Sequence, residues 1–247
     1  MLARINTMIS FLRKIRQKLL QQNRVTRYLV YAAGEIFLVV IGILIALSIN
    51  NWNESNQLER EELQLLEEMA VELEEQQKDL IFNIGYHETA KNSAELLLSL
   101  LQNQGEYHDS LKQHFLNVYQ FTVLNNRQNA FAALKSKGIT LIQNDSLRFI
   151  ISGYYEERIP FQILAQEVTM KQNVELSHQH LELFKGFSWS APFEPWDFEE
   201  LKNNRAYLSW LSYVIGNRSF EISSFNLTLE RNQQLIAAIR EELSRKK

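Results

Sequence analysis

The sequence predicts an all-α chain: an N-terminal transmembrane helix, then a domain of long helices arranged up and down like a four-helix bundle. Three observations predict it. Gly (8) and Pro (3) are scarce over 247 residues, which removes the turn residues that an all-β or α/β fold needs. Two long runs place their apolar residues alternately three and four apart, the heptad spacing of packed helices. One run of 21 residues is long and apolar enough to cross a bilayer. With 45% hydrophobic and 22% charged residues, the composition is that of a folded domain rather than a disordered chain.

Charge orients the chain. Residues 1–28 hold seven Lys/Arg and no acid, whereas residues 50–80 hold ten acids against two bases. The apolar run LVYAAGEIFLVVIGILIALSI (Leu29–Ile49) makes about 31 Å of helix, against a hydrocarbon core of about 30 Å. Because Arg4, Arg13, Lys14, Arg16, Lys18, Arg24 and Arg27 all precede it, the positive-inside rule puts the N-terminus in the cytoplasm and the remainder outside. Tyr28 and Tyr31 mark one interface and Trp52 the other. The expected division is a basic amphipathic cytoplasmic segment at 1–28, a transmembrane helix at 29–49 and a helical outer domain at 50–247. Ala46-Leu47-Ser48 has the small-residue spacing of a cleavage site, so a cleaved signal is the rival reading. The length of the apolar stretch, the basic lead and Glu35 inside the span favour a retained anchor.

Within the first segment Met8, Leu12, Ile15 and Leu19 recur at helical spacing, with Arg13, Lys14, Arg16 and Lys18 between them. This is the pattern of a basic helix lying on anionic lipid, so the lipid membrane is the first partner expected. Docking of a cytoplasmic protein is the rival use. Glu35 is an acid in a spanning helix, a placement that costs about 2.5–3.5 kcal/mol near the centre. Gly42 and Ala46 follow on the same helical face, and Gly42-x-x-x-Ala46 is a small-xxx-small pair that lets helices approach closely. Association of membrane helices through Glu35, Gly42 and Ala46 is the expectation, and with it a homo-oligomer. The alternative for Glu35 is a protonated side chain, or one that reaches back to the cytoplasmic interface.

The run FLRKIRQKLLQQNRVTRYLVYAAGEIFLVVIGILIALSINNWNE (Phe11–Glu54) resembles the N-terminal signature of a large family of uncharacterised single-pass membrane proteins in Bacteroidetes-type bacteria. The family pattern joins a basic F-R-K-I-R-Q-type lead, a G-E-I-x-L-V-V-I-G-I-L-I-A-L span and an N-N-W-N-E exit; Ser48 stands where that pattern has Gln. The stretch FAALKSKGITLIQNDSLRFIISGYYE (Phe131–Glu156) looks like a second, looser motif of the same family. The resemblance implies a bacterial inner-membrane protein with its C-terminal domain in the periplasm. It implies no activity. It also makes Asp109-Ser-Leu and Asp145-Ser-Leu candidate sites of periplasmic O-glycosylation, although helix capping explains the same residues.

In the outer domain the first heptad seam runs Leu66, Met69, Leu73, Gln76, Leu80, Asn83, His87, Ala90, Ala94, Leu97 and Leu101, with a polar middle. Asn50, Asn51 and Asn53 permit a bend ahead of it. The second seam runs Leu208, Leu211, Ile215, Arg218, Ile222, Phe225, Leu229, Asn232, Ile236, Ile239 and Leu243, and the two helices are expected to pack along much of their length. Between them, Asp109 caps a helix to about Phe121, Asn126 one to Lys137 with Gly138 as its stop, and Asp145 one to Arg158. Pro160 then kinks or restarts a helix that runs to Phe184. The loop KGFSWSAPFEPWDFEE (Lys185–Glu200) is dense in aromatics, which either plug one end of the bundle or form a partner patch of Trp189, Phe193 and Trp196. Asp197 followed by Glu200 reads as a capping box for the last helix.

Little in the sequence carries chemistry. The absence of cysteine excludes thiol catalysis and cysteine-ligated metals. Glu175-Leu-Ser-His178 with Glu182 has the Glu-x-x-His step of di-iron bundles but no second copy, so His178 and His180 read as surface or boundary residues. His87 reads as an interhelical hydrogen bonder. No phosphate loop, nucleophile elbow or paired-histidine zinc motif is present. No enzyme activity, catalytic residue, cofactor or metal is expected. The outer domain holds 28 acids and 19 bases after residue 50, which argues against nucleic acid as a partner. The expected role is a membrane-anchored periplasmic scaffold or adaptor that self-associates and engages an envelope protein. The alternatives are a ligand-sensing module and a proton-linked accessory subunit using Glu35.

Overall fold

The computed structural model describes residues 24–246 except 187, 189, 190 and 193. Among them the chain is helical, without a strand. The α-helices are α1 (Arg24–Gln102), α2 (Leu111–Tyr119), α3 (Asn129–Lys137), α4 (Asp145–Ser152), α5 (Ile159–His178), α6 (Phe198–Asn203) and α7 (Arg205–Lys246). The chain divides into two units, Met1–Arg60 and Glu61–Lys247. In the first, the described backbone is helical and stays so through Asn50, Asn51 and Asn53, where a bend was permitted. Its most apolar 18-residue window has a mean hydropathy of 2.5 with none of it buried, which makes α1 long and apolar enough to cross a membrane. The basic segment with Arg13, Lys14, Arg16 and Lys18 lies outside the described residues.

In the outer unit all eleven seam residues of α1, from Leu66 to Leu101, are buried. They face α7, which runs antiparallel: Lys246 meets Glu62 at 2.5 Å, Asn232 donates to the Leu73 carbonyl at 3.1 Å, and Arg218 meets His87 at 3.2 Å. On α7 the seam holds in part. Leu211, Arg218, Phe225, Asn232, Ile236, Ile239 and Leu243 are buried as expected, but Leu208, Ile215, Ile222 and Leu229 are only half-buried. The inward positions beside them are Tyr207, Val214, Glu221, Thr228, Leu235 and Glu242, one residue earlier in each heptad. Three of these six are polar, so a pattern sought by apolarity alone passes over them.

The middle of the chain departs further from four equal arms. The expected second arm consists of two short helices, α2 and α3, joined by a non-helical strap at 120–128. Helix α2 starts at Leu111 and ends at Tyr119; Ser110 occupies the cap position in place of Asp109, and no side chain caps the helix. Helix α3 does stop at Gly138, whose φ of +98° favours glycine. Asn144 rather than Asp145 caps α4, its side chain accepting from the amides of Ser146 and Leu147 at 3.1 and 3.2 Å. Pro160 stands in the first turn of α5, where a restart was expected, but the chain ahead of it is helical as well. A π-helical turn (Gly153–Arg158) joins α4 to α5 in one helical arm. The arm ends at His178, short of Phe184.

Two apolar clusters fill the outer unit. One gathers Leu66, Leu73, Phe131, Tyr155, Phe225 and Ile239 with their neighbours. The other gathers Leu97, Phe115, Phe184, Tyr207, Trp210 and Leu211 with theirs. Between them along α1 and α7 lie Asn83, His87, Arg218 and Glu221, all fully buried. The register of α7 gives a direct test. Phe225→Ala is expected to lower the unfolding free energy by about 3–5 kcal/mol and Ile222→Ala by about 1 kcal/mol, read from urea unfolding of the full chain in detergent. Equal losses would contradict the inward positions assigned here.

Candidate functional site

The three residues proposed for helix association, Glu35, Gly42 and Ala46, are exposed on the apolar part of α1. A Cβ added at Gly42 meets no atom within 4 Å, so that face is open within the chain. Of the aromatic patch, Trp189 and Phe193 lie outside the described residues, as does Phe187. Trp196 is 67% exposed, while Phe184 and Phe198 pack into the second apolar cluster. The base of this loop is clamped. Phe184 bridges Pro195, and Glu194 binds Lys112 at 2.7 Å and Lys185 at 2.8 Å. Those hydrogen bonds hold the Glu194 carboxyl down at about 2. Asp197 does cap a helix, accepting from Glu199 and Glu200 amides at 2.9 and 3.1 Å, but that helix is the short α6. The long last helix begins after Asn204, whose side chain accepts from the Tyr207 amide at 3.0 Å.

The strap explains much of the polar centre. A non-helical segment inside a helical domain has no ladder for its peptide groups, and buried ones must still be paired. Here side chains from three helices pair them. Arg218 of α7 donates to the Gln120 carbonyl at 2.6 Å, Gln166 of α5 accepts from Leu124 at 3.0 Å, and Asp79 of α1 accepts from Asn125 at 2.8 Å. Just beyond the strap, Glu72 accepts from Ala130 at 3.0 Å. Phe121 lies 5.1 Å under the Arg218 guanidinium and edge-on to His87 at 5.7 Å.

Burial sets the ionisation of this centre. It draws Arg218 down to about 10, still cationic at neutral pH, with Glu221 offsetting part of the shift. Burial and then the Arg218 charge push His87 down to about 3, so the imidazole is neutral and its Nδ1 accepts from Arg218. Glu221 is pushed up by burial, against the hydroxyl of Thr169 that donates to it. His87 is thus an interhelical hydrogen bonder. Among the described residues no ion pair joins Arg218 to a carboxylate.

Helix α5 is turned inside out. Its buried positions include Gln162, Gln166, Thr169, Asn173 and Ser177, whereas Phe161, Leu164 and Val168 on the opposite side are 51%, 60% and 47% exposed. The inward side chains are hydrogen-bonded across to α7: Gln162 accepts from Ser224 at 2.7 Å, and Arg158 donates to Thr228 and to the Ser224 carbonyl at 2.8 Å. On the outer side, Phe149, Ile150 and Phe161 face Leu227 of α7 across a groove of about 480 Å³ that also holds Arg158 and Arg231. The sequence reading missed this face, although the i, i+3, i+7 spacing of Phe161, Leu164 and Val168 is visible in it.

The histidines at the end of α5 separate. His178 is exposed, as are Glu175 and Glu182. His180, read as a surface or boundary residue, is instead buried against Tyr207 and Trp210, and burial lowers its pKa. Among the described residues no three His, Asp or Glu side chains gather as metal ligands.

The state of His87 makes acid stability measurable. Because its folded pKa lies below the unfolded value of 6.5, the unfolded chain takes up a proton that the fold refuses. The stability is complete above 6.5 and falls as pH drops toward about 3, by about 1.4 kcal/mol per pH unit for this group. His87→Gln keeps an acceptor for Arg218 and removes the titration. The stability advantage of the parent chain over this variant should shrink by about 2 kcal/mol from pH 7 to pH 5 in denaturant titrations. Parallel pH profiles would show that His87 titrates normally.

No curated protein and no solved structure matches the chain. A family model described as a family of unknown function, DUF6090, matches residues 35–190. The match starts at Glu35 in the apolar part of α1 and runs through the strap and the inverted helix into the aromatic loop. It covers more than half of the sequence, and the chain therefore belongs to the DUF6090 family of unknown function.

Proposed function

We propose that this protein is a membrane-anchored helical adaptor, held in a bacterial inner membrane by residues 29–49, whose periplasmic domain docks another envelope protein. The observation that carries the reading is the inversion of α5. A soluble helix turns its apolar side inward, and one that turns Phe161, Leu164 and Val168 outward is arranged for a surface supplied by another molecule. No catalytic role enters this reading. In it the outer helices act as an up-down bundle that presents the face, and the N-terminal basic segment rests on cytoplasmic lipid. Self-association belongs to the same proposal through the anchor, where Gly42 and Ala46 leave an open small-residue strip beside Glu35.

Two substitutions test the two contacts separately. Leu164→Glu combined with Val168→Glu should reduce the native-gel size of the complex extracted from membranes. Because both residues are exposed, unfolding stability should change by less than about 0.5 kcal/mol. A complex of unchanged size would refute docking through this face. Gly42→Leu has no neighbour to strike within the chain, so its effect is read between chains. Homotypic cross-linking of the anchor should fall, and an unchanged yield would remove the small-residue strip from the reading.

A further inference from the structure

We propose that the face formed by α5 and α7 receives an amphipathic helix of the partner, apolar along one side and acidic along its flank. This rests on the docking reading above and names the chemistry of what docks. Helices α5 and α7 run antiparallel, as the bonds from Arg158 to Thr228 and from Tyr213 to Gln172 fix. Phe161 and Leu227 flank one groove. One heptad further along each helix stand Val168 and Phe220, also exposed. The helical period brings them to the same side as the first pair. With Phe149 and Ile150, which line the same groove, these residues make an apolar track over roughly 28 Å of the arm, about five turns. A trough between two antiparallel helices accommodates a third helix laid along it, with anchors at i, i+3/i+4 and i+7.

The charge of the rim selects an acidic occupant. Most lysines and arginines of the outer unit stand within ion-pair distance of a carboxylate, among them Lys112, Lys137, Arg148, Arg240 and Lys246. Arg158 and Arg231 line the same groove together with one acid, Glu157, which leaves its lining net positive, and neither arginine has such a pair among the described residues. Arg231 reaches only the neutral Gln234, at 3.2 Å, and Arg158 lies 5.0 Å over the Phe161 ring while donating to Thr228, Gln162 and Ser224. Burial lowers the Arg158 pKa, and the neighbouring Arg231 charge adds to that, because the two guanidiniums repel. An acidic side chain from a partner helix relieves that repulsion at the groove where the aromatic anchors sit.

The test places a photo-cross-linking residue at the track, Val168→p-benzoylphenylalanine, in the full chain in its native membranes, with adducts sequenced by mass spectrometry. The expected adduct is a peptide with apolar residues at i, i+3/i+4 and i+7 and Asp or Glu beside them. Its yield should fall about threefold with Arg231→Glu, and also at high salt. An adduct to a peptide without that pattern, or to a second copy of this chain, overturns the acidic helix while leaving docking through the face intact. A yield indifferent to Arg231→Glu overturns it in the same way. A lipid adduct overturns both, because the inverted helix then faces acyl chains, and so does the absence of any adduct.

Discussion

Peptide groups that leave a helix without entering a sheet must find partners in side chains, and the outer unit is organised around this requirement. The strap at 120–128 belongs to no helix, and its bonds reach α1, α5 and α7 at once. A buried amide or carbonyl left alone costs about 1–3 kcal/mol, comparable to the contribution of a large apolar side chain. Arg218 is therefore required where a leucine would otherwise continue the seam. Burial, and after it the Arg218 charge, keeps His87 neutral, and the neutral ring supplies the acceptor that Arg218 needs. The polar middle of two otherwise apolar seams follows from one non-helical segment between them.

This dependence also decides how far the sequence could be read. The α1 seam is legible because its eleven inward positions are nearly all apolar, and even Gln76, Asn83 and His87 keep the three-four spacing. On α7 the same rule slips by one residue at alternate positions, since Ile215, Ile222 and Leu229 look more buriable than Val214, Glu221 and Thr228. The reason lies outside α7: Thr228 and Ser224 must meet Arg158 and Gln162, and Glu221 must meet Thr169. A local pattern cannot reveal partners fifty or more residues away. The strap was illegible for the same reason, and helices were read further into it than its backbone allows.

Local signals were most reliable where a single residue decides the backbone. Gly138 ends α3 because its φ of +98° suits glycine, and Asp197 caps a helix because its carboxylate meets two free amides. They were least reliable where two rules compete. Pro160 should break a helix, yet the arm from Asp145 to His178 continues because a π-helical turn widens the spiral just ahead of the ring. Tertiary bonds ahead of the proline hold that turn: Tyr154 bonds to Gln76, and Arg158 bonds to α7.

The inverted helix and the polar centre are two sides of one arrangement. A helix normally adheres to its domain by burying its apolar stripe, so keeping that stripe outward requires another attachment. Hydrogen bonds supply it. Gln162, Gln166 and Thr169 of α5 are bonded to α7 or to the strap, and Arg158 at its foot adds bonds to Thr228 and Ser224. At about 0.5–1.5 kcal/mol net for each bond, such a set can replace the burial of one or two leucines. The exchange is specific as well as sufficient, because hydrogen bonds fix the rotation of α5 about its axis, which apolar contacts alone do loosely. Rotation decides whether Phe161, Leu164 and Val168 point outward together. The buried polar residues therefore hold the outer face in place, and a substitution at Gln162 or Thr169 would reach that face without touching it.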